Sequence, residues 1–184
     1  MTRTGTAVTA LILVAASAAL LLAMGRPPIC TCGTIELWVS QSDSPKTSQM
    51  LADWYSPSHV IHGFLFYAFL RLARRNQPVE RRFLVALLAE IAWEVLENTD
   101  WAINRYREAT IAIGYTGDSI INTMSDIAMM ALGFWLTRKL PVWMIVVAAI
   151  ALELAALVAV RDNLVLNVWM FLFPTEAIRS WQAG

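Results

Sequence analysis

Charged residues are scarce in this sequence. Asp, Glu, Lys and Arg make up 15% of its 184 residues, where a soluble domain carries about a quarter. Acids and bases balance at 14 each, so there is no global basic field to draw nucleic acid. Cysteine is confined to Cys30 and Cys32. With one residue between them they are too close for an easy disulfide, which needs a particular Cα separation and dihedral. Two loop thiols are the expectation, with pairing between chains, a strained bridge or soft-metal binding as alternatives. There is no His-Glu-x-x-His and no Glu-x-x-His pair, so no standard metal motif is present. No nucleophile elbow accompanies Ser56, Ser58 or Ser125, which argues against a Ser-His-Asp hydrolase. The absence of an internal repeat argues against a repeat-built transporter.

What fills the space is apolar sequence: 58% of residues are hydrophobic and the mean hydropathy is +0.54. The apolar residues come in long blocks such as Ala7 to Ala23 and Val142 to Val160. This pattern predicts an all-α, polytopic membrane helix bundle in a single domain, residues 1–184. A span needs roughly 20 mainly apolar residues. Five stretches qualify or nearly so, at about 7–24, 58–73, 82–97, 118–136 and 142–160. The first also fits a signal peptide, but its apolar run is long for one and favours a retained helix. Leu164 to Phe173 is too short to span and stops at Pro174, which predicts a short interfacial or re-entrant helix.

Basic residues set the orientation. Arg71, Arg74, Arg75, Arg81 and Arg82 surround the second connection, and Arg138 and Lys139 the fourth. With Arg3, these ends and the N-terminus are expected in the cytoplasm of a bacterial inner membrane. Loops 25–57 and 98–117 then face outward. Their Trp38, Trp54, Tyr55, Trp101, Tyr106 and Tyr115 read as interfacial anchors.

Ionisable residues inside spans are costly and by default mark function. The second helix opens with His59 and His62, on one face; the third carries Glu90, Glu94 and Glu97; the fourth Asp118, Asn122 and Asp126; the fifth Glu153. Counting ~1.5 Å per residue from the helix ends predicts matching layers on the outer side. His59, Glu97 and Asp118 lie outermost, then His62, Glu94 and Asn122, then Glu90, Asp126 and Glu153. Three readings fit these layers: a divalent metal site, a packing network, or a proton or ion path. Metal candidates are His59, His62, Glu90, Glu94, Asp118, Asp126 and Glu153. Mixed His and carboxylate ligands suit Zn²⁺ or Mn²⁺, and oxygen ligands suit Mg²⁺ or Ca²⁺. As an enzyme, the chain would use His62, Glu94 and Asp126 as acid, base or metal ligand. Asn122, Arg105, Arg107 and Arg161 would bind substrate, the arginines through a phosphate.

Long strings also resemble a known family. DWYSPSHVIHGFLFY (Asp53–Tyr67), WEVLENTDWAINRYRE (Trp93–Glu108) and GYTGDSIINTMSDIAMMALGF (Gly114–Phe134) are similar to the bacterial membrane family called domain of unknown function 2585. PICTCG (Pro28–Gly33), RDNLVLNV (Arg161–Val168) and the tail EAIRSWQ fit it too. The resemblance implies a small multi-pass inner-membrane protein. The spacing Asp118-x-x-x-Asn122-x-x-x-Asp126 followed by Gly133 more distantly resembles VanZ-like and YjdF-like membrane proteins, which implies a role at the cell envelope. The first expectation is an enzyme acting on a lipid or lipid-linked envelope substrate at the outer leaflet, with membrane lipids as its surroundings. The alternatives are a non-catalytic assembly factor or accessory subunit, and a small proton- or ion-coupled transporter.

Overall fold

Local signals place most helix ends. The computed structural model describes residues 2–110, 112 and 114–184. It contains eight α-helices and, among the described residues, no strand: α1 Arg3–Ala23, α2 Ser56–Ala73, α3 Val79–Glu97, α4 Asp100–Ala109, α5 Ile120–Lys139, α6 Val142–Val160, α7 Leu164–Leu172 and α8 Glu176–Ala183. Side-chain oxygens of Thr2, Thr99, Ser119 and Asn163 cap α1, α4, α5 and α7, each satisfying an otherwise orphaned N–H of a first turn. Pro78 and Pro141 stand just ahead of α3 and α6, where a missing N–H costs nothing.

Three helices, α1, α5 and α6, are long and apolar enough to cross a membrane. The other two long helices, α2 and α3, are interrupted by His59, His62, Glu90 and Glu94. The stretches expected to span are helical over most of their length, although α5 begins at Ile120 rather than Asp118. The loop expected over 98–117 instead contains α4, while its Ile111 and Ile113 lie outside the described residues. The short helix expected at 164–173 is α7, and α8 follows it.

Helices α2, α3 and α5 form the centre. Their lower halves pack Tyr67, Leu70, Ala86, Leu87, Ile127, Met130 and Phe134 into one apolar core. Their upper halves turn polar side chains inward instead. Helices α2 and α5 touch backbone to backbone: a Cβ on Gly63 would sit 2.2 Å from the Met130 carbonyl oxygen, and one on Gly133 2.1 Å from that of Val60. Small residues permit this approach. Helix α6 lies outside, with only Ile145, Ala156 and Val160 buried.

The loop before α2 straps the upper end. Ile120 and Ile121 donate their N–H groups to Pro27 and Pro28, and Ser119 donates to Ser48. The amide of Asn122 donates to the Met50 carbonyl at 3.0 Å. Within this strap Cys30 and Cys32 form a disulfide, their Cα atoms 5.1 Å apart. The expectation of two free thiols is therefore overturned. Their Cα separation lies inside the usual disulfide range, and Cys30 is buried against Val39 and Met50.

Candidate functional site

His59 and His62, one turn apart on α2, both meet Glu90 of α3. The Nδ1 of His59 is 2.6 Å from Glu90 Oε1, and that of His62 is 3.1 Å from Oε2. Glu90 is fully buried, and an ionised carboxylate can only accept. Both imidazoles therefore donate from Nδ1, which leaves each Nε2 free. His59 Nε2 is 3.8 Å from Asp126 Oδ2 on α5, too far for a hydrogen bond.

Glu94 stands one turn above Glu90. Its Oε1 is 3.3 Å from His59 Nδ1, but that N–H points to Glu90. Glu94 Oε1 and Asp126 Oδ1 are buried and find no hydrogen-bond partner among the described residues. Buried oxygens are rarely left so. Ligand atoms of His59, Glu94 and Asp126 all lie within 4.8 Å of one another.

The neighbouring acids are served differently. Asp118 accepts from the Asn98 amide at 2.6 Å and from the Tyr115 hydroxyl at 3.0 Å. Its own N–H donates to Asn98 Oδ1 at 2.7 Å. Asp53 accepts from the N–H groups of Ser48 and Tyr55; burial pushes its carboxyl up while these N–H groups pull it down. Glu97 lies beside Glu94 and Asp118, with ligand atoms of all three within 4.8 Å of one another. These side chains surround an open cavity of about 380 Å³ that reaches His59, His62, Glu94, Glu97, Asp118, Asn122 and Asp126. No Lys or Arg is among its described lining residues.

Four sequence-nominated residues lie elsewhere. Glu153 accepts from the N–H groups of Leu164 and Val165, so it caps the first turn of α7. Arg105 donates to the carbonyls of Phe171 and Leu172, closing the other end of α7. Arg107 donates to the Tyr115 carbonyl. Arg161 ends α6 in the left-handed conformation and donates to Trp181. All four find backbone partners, and none of them is among the described residues that line the cavity. Asn122 does line the cavity, but its amide nitrogen is committed to Met50. The depth layers also shift. His59 meets Glu90 rather than Glu97 and Asp118, because the helix ends are not flush: α2 begins at Ser56 and α5 only at Ile120.

Asp53, Asn98, Tyr106 and Tyr115 escaped the sequence reading as site residues. The tyrosines looked like interfacial anchors, and Asp53 and Asn98 are ordinary loop residues until the strap folds over. Asp162, below the same rim, is buried beside Tyr55 and Asn167. Burial pushes its carboxyl up to about 6, against the pull of the Asn163 N–H. A raised folded pKa means that the native state binds the proton more tightly. Stability from this group is then lost as pH rises from about 4 to about 6. Asp162→Asn should flatten that part of a stability–pH curve measured by thermal unfolding. An unchanged slope would remove Asp162 as its source.

The family described as "Protein of unknown function (DUF2585)" matches residues 21–184. The chain belongs to this family. Among DUF2585 relatives, a UPF0314 protein of Sphingopyxis alaskensis is 48% identical over 184 residues, covering 100% of this chain and 97% of the relative. One from Agrobacterium fabrum is 52% identical over 163 residues, 89% of this chain and 82% of the relative. One from Paracoccus denitrificans is 50% identical over 164 residues, covering 89% and 85%. No solved structure matches the DUF2585 chain.

Proposed function

We propose that this DUF2585 protein is an inner-membrane enzyme that hydrolyses or transfers a group on a lipid or lipid-linked envelope substrate. Its five long helices cross the bilayer, with the N-terminus in the cytoplasm and the cavity at the periplasmic end. The exposed apolar residues of α6, from Val142 at 79% to Val158 at 83%, call for a lipid environment. The arginines around α2, α3 and α5 sit at the helix ends opposite the cavity, which supports the orientation.

One observation carries the enzymatic reading: Glu94 and Asp126 both line the open cavity, and each keeps a buried carboxylate oxygen with no hydrogen-bond partner among the described residues. A packing network satisfies its members, as Asp118 and Asp53 are satisfied here; unmet acceptors beside a cavity are what chemistry needs. Glu94 and Asp126 act as base or ligand, and His62 as the acid in its imidazolium form, with Nδ1–H held by Glu90 and the proton given from Nε2. Substrate is held by tyrosine, serine and asparagine side chains of the rim rather than by arginine. The second reading, an accessory subunit with a structural network, is favoured by the Asp118–Asn98–Tyr115 bonds.

The test incubates detergent-purified protein with total lipid extract from its own host membrane and follows every lipid species by mass spectrometry. Wild type should consume one class of lipid, and folded Glu94→Gln and Asp126→Asn should not. Identical extracts with wild type and variants would leave the accessory reading.

A further inference from the structure

We infer that His59, Glu94 and Asp126 form a binding site for one divalent transition-metal cation of the Zn²⁺ or Mn²⁺ class. The inference deepens the enzymatic reading by naming what the site holds, and it stands on geometry independent of turnover.

Three clusters near the cavity have ligand atoms close enough to share an ion. In the first, His59, His62 and Glu90, the carboxylate already accepts from both imidazoles, and Glu90 does not line the cavity. In the second, Glu94, Glu97 and Asp118, the Asp118 carboxylate already accepts from Asn98 and Tyr115. Among the described residues only the third, His59, Glu94 and Asp126, has all its members on the cavity and two unmet acceptors, Glu94 Oε1 and Asp126 Oδ1.

Its details match metal chemistry. The 3.8 Å between His59 Nε2 and Asp126 Oδ2 is too long for a hydrogen bond but less than twice a typical metal–ligand distance of about 2.0–2.2 Å. One cation between them would be reached by both. Glu90 fixes the ring: its 2.6 Å bond to Nδ1 holds the proton there and presents the Nε2 lone pair. A carboxylate–histidine–metal relay uses this same arrangement. Charge agrees as well. A dication would offset the two carboxylates of Glu94 and Asp126, whose ligand atoms lie within 4.8 Å of one another. A nitrogen ligand favours a transition metal over Mg²⁺ or Ca²⁺. The other ligand positions remain open to water or substrate from the cavity.

The test loads purified, full-length protein with Zn²⁺ or Mn²⁺, removes free ion and measures bound metal by elemental mass spectrometry. About one cation per chain is expected for wild type and for Glu153→Gln, whose carboxylate caps α7. Glu94→Gln and Asp126→Asn should bind at least about ten-fold more weakly. Metal-free wild type, or variants that bind as tightly as wild type, would overturn the assignment. Should the variants fail to fold, wild type alone decides. Added Co²⁺ should give a visible d–d band that about one equivalent of Zn²⁺ abolishes, and the absence of a band overturns the site. A metal-free wild type that still consumes lipid would remove the cation and keep the enzyme. A loaded protein inert toward every lipid would do the reverse.

Discussion

Alanine at Gly63 or Gly133 is expected to destabilise the bundle by at least ~3 kcal/mol, at or beyond the upper end of ordinary overpacking. The added methyl would meet backbone, not a side chain that can swing away. At Gly63 it lies 2.2 Å from the Met130 carbonyl oxygen and 2.5 Å from the Phe134 nitrogen; at Gly133 it lies 2.1 Å from the Val60 carbonyl oxygen. Relief requires α2 and α5 to move apart along their length. That movement opens the apolar core around Phe134 and Met130. It also separates His59 on α2 from Asp126 on α5, so a surviving variant should lose the site as well as stability. Thermal unfolding in detergent reads the first effect and cation retention the second. An alanine variant melting within about 0.5 kcal/mol of wild type, the range of a neutral surface change, would mean that the two helices are not in backbone contact.

Gly133 drew notice in the sequence only as part of a spacing pattern, and Gly63 drew none. A helix contact depends on which way a residue faces across the bundle, and one-dimensional hydropathy does not carry that direction. The same limit explains the successes and failures at the site. Depth along a helix is legible from residue counts, so His59, Glu90, Glu94 and Asp126 could be placed near one end of the bundle. Azimuth is not, so Glu153 looked equivalent to Asp126 although it points at α7. Arginines in a loop over a polar layer suggested phosphate binding, and the structure ties Arg105 and Arg107 to backbone carbonyls away from the cavity lining. Long apolar helices such as α1 and α6 declare themselves by composition. Helices α4 and α8, of 10 and 8 residues, are too short to do so; α4 is held by Ala102 and Tyr106 against Phe171 of α7, and α8 by the Arg161 bond to Trp181. The strap itself, with its Cys30–Cys32 link and its bonds to Ser119 and Asn122, is a tertiary feature with no local signature.

The two glutamates one turn apart on α3 should respond to mutation in opposite directions. Glu90 is fully buried and holds both imidazoles. Glu90→Ala leaves His59 and His62 with unpaired donors and opens a cavity, and breaking a buried pair of this kind costs about 3–5 kcal/mol. Glu94 is equally buried, but its Oε1 has no donor. In chelator-treated protein, Glu94→Gln removes a buried acceptor that has no donor among the described residues and should leave stability unchanged or raise it, by up to about 1–2 kcal/mol. Residues kept for binding or chemistry commonly carry such a cost. Added cation should then reverse the order: it stabilises wild type by mass action and leaves Glu94→Gln where it was. Thermal unfolding of the three proteins, with and without Zn²⁺, tests both halves. If the two substitutions destabilise equally in the absence of metal, Glu94 is a member of the packing network like Glu90. The accessory-subunit reading would then describe the whole polar cluster, because no carboxylate would be held at a loss for a ligand to relieve.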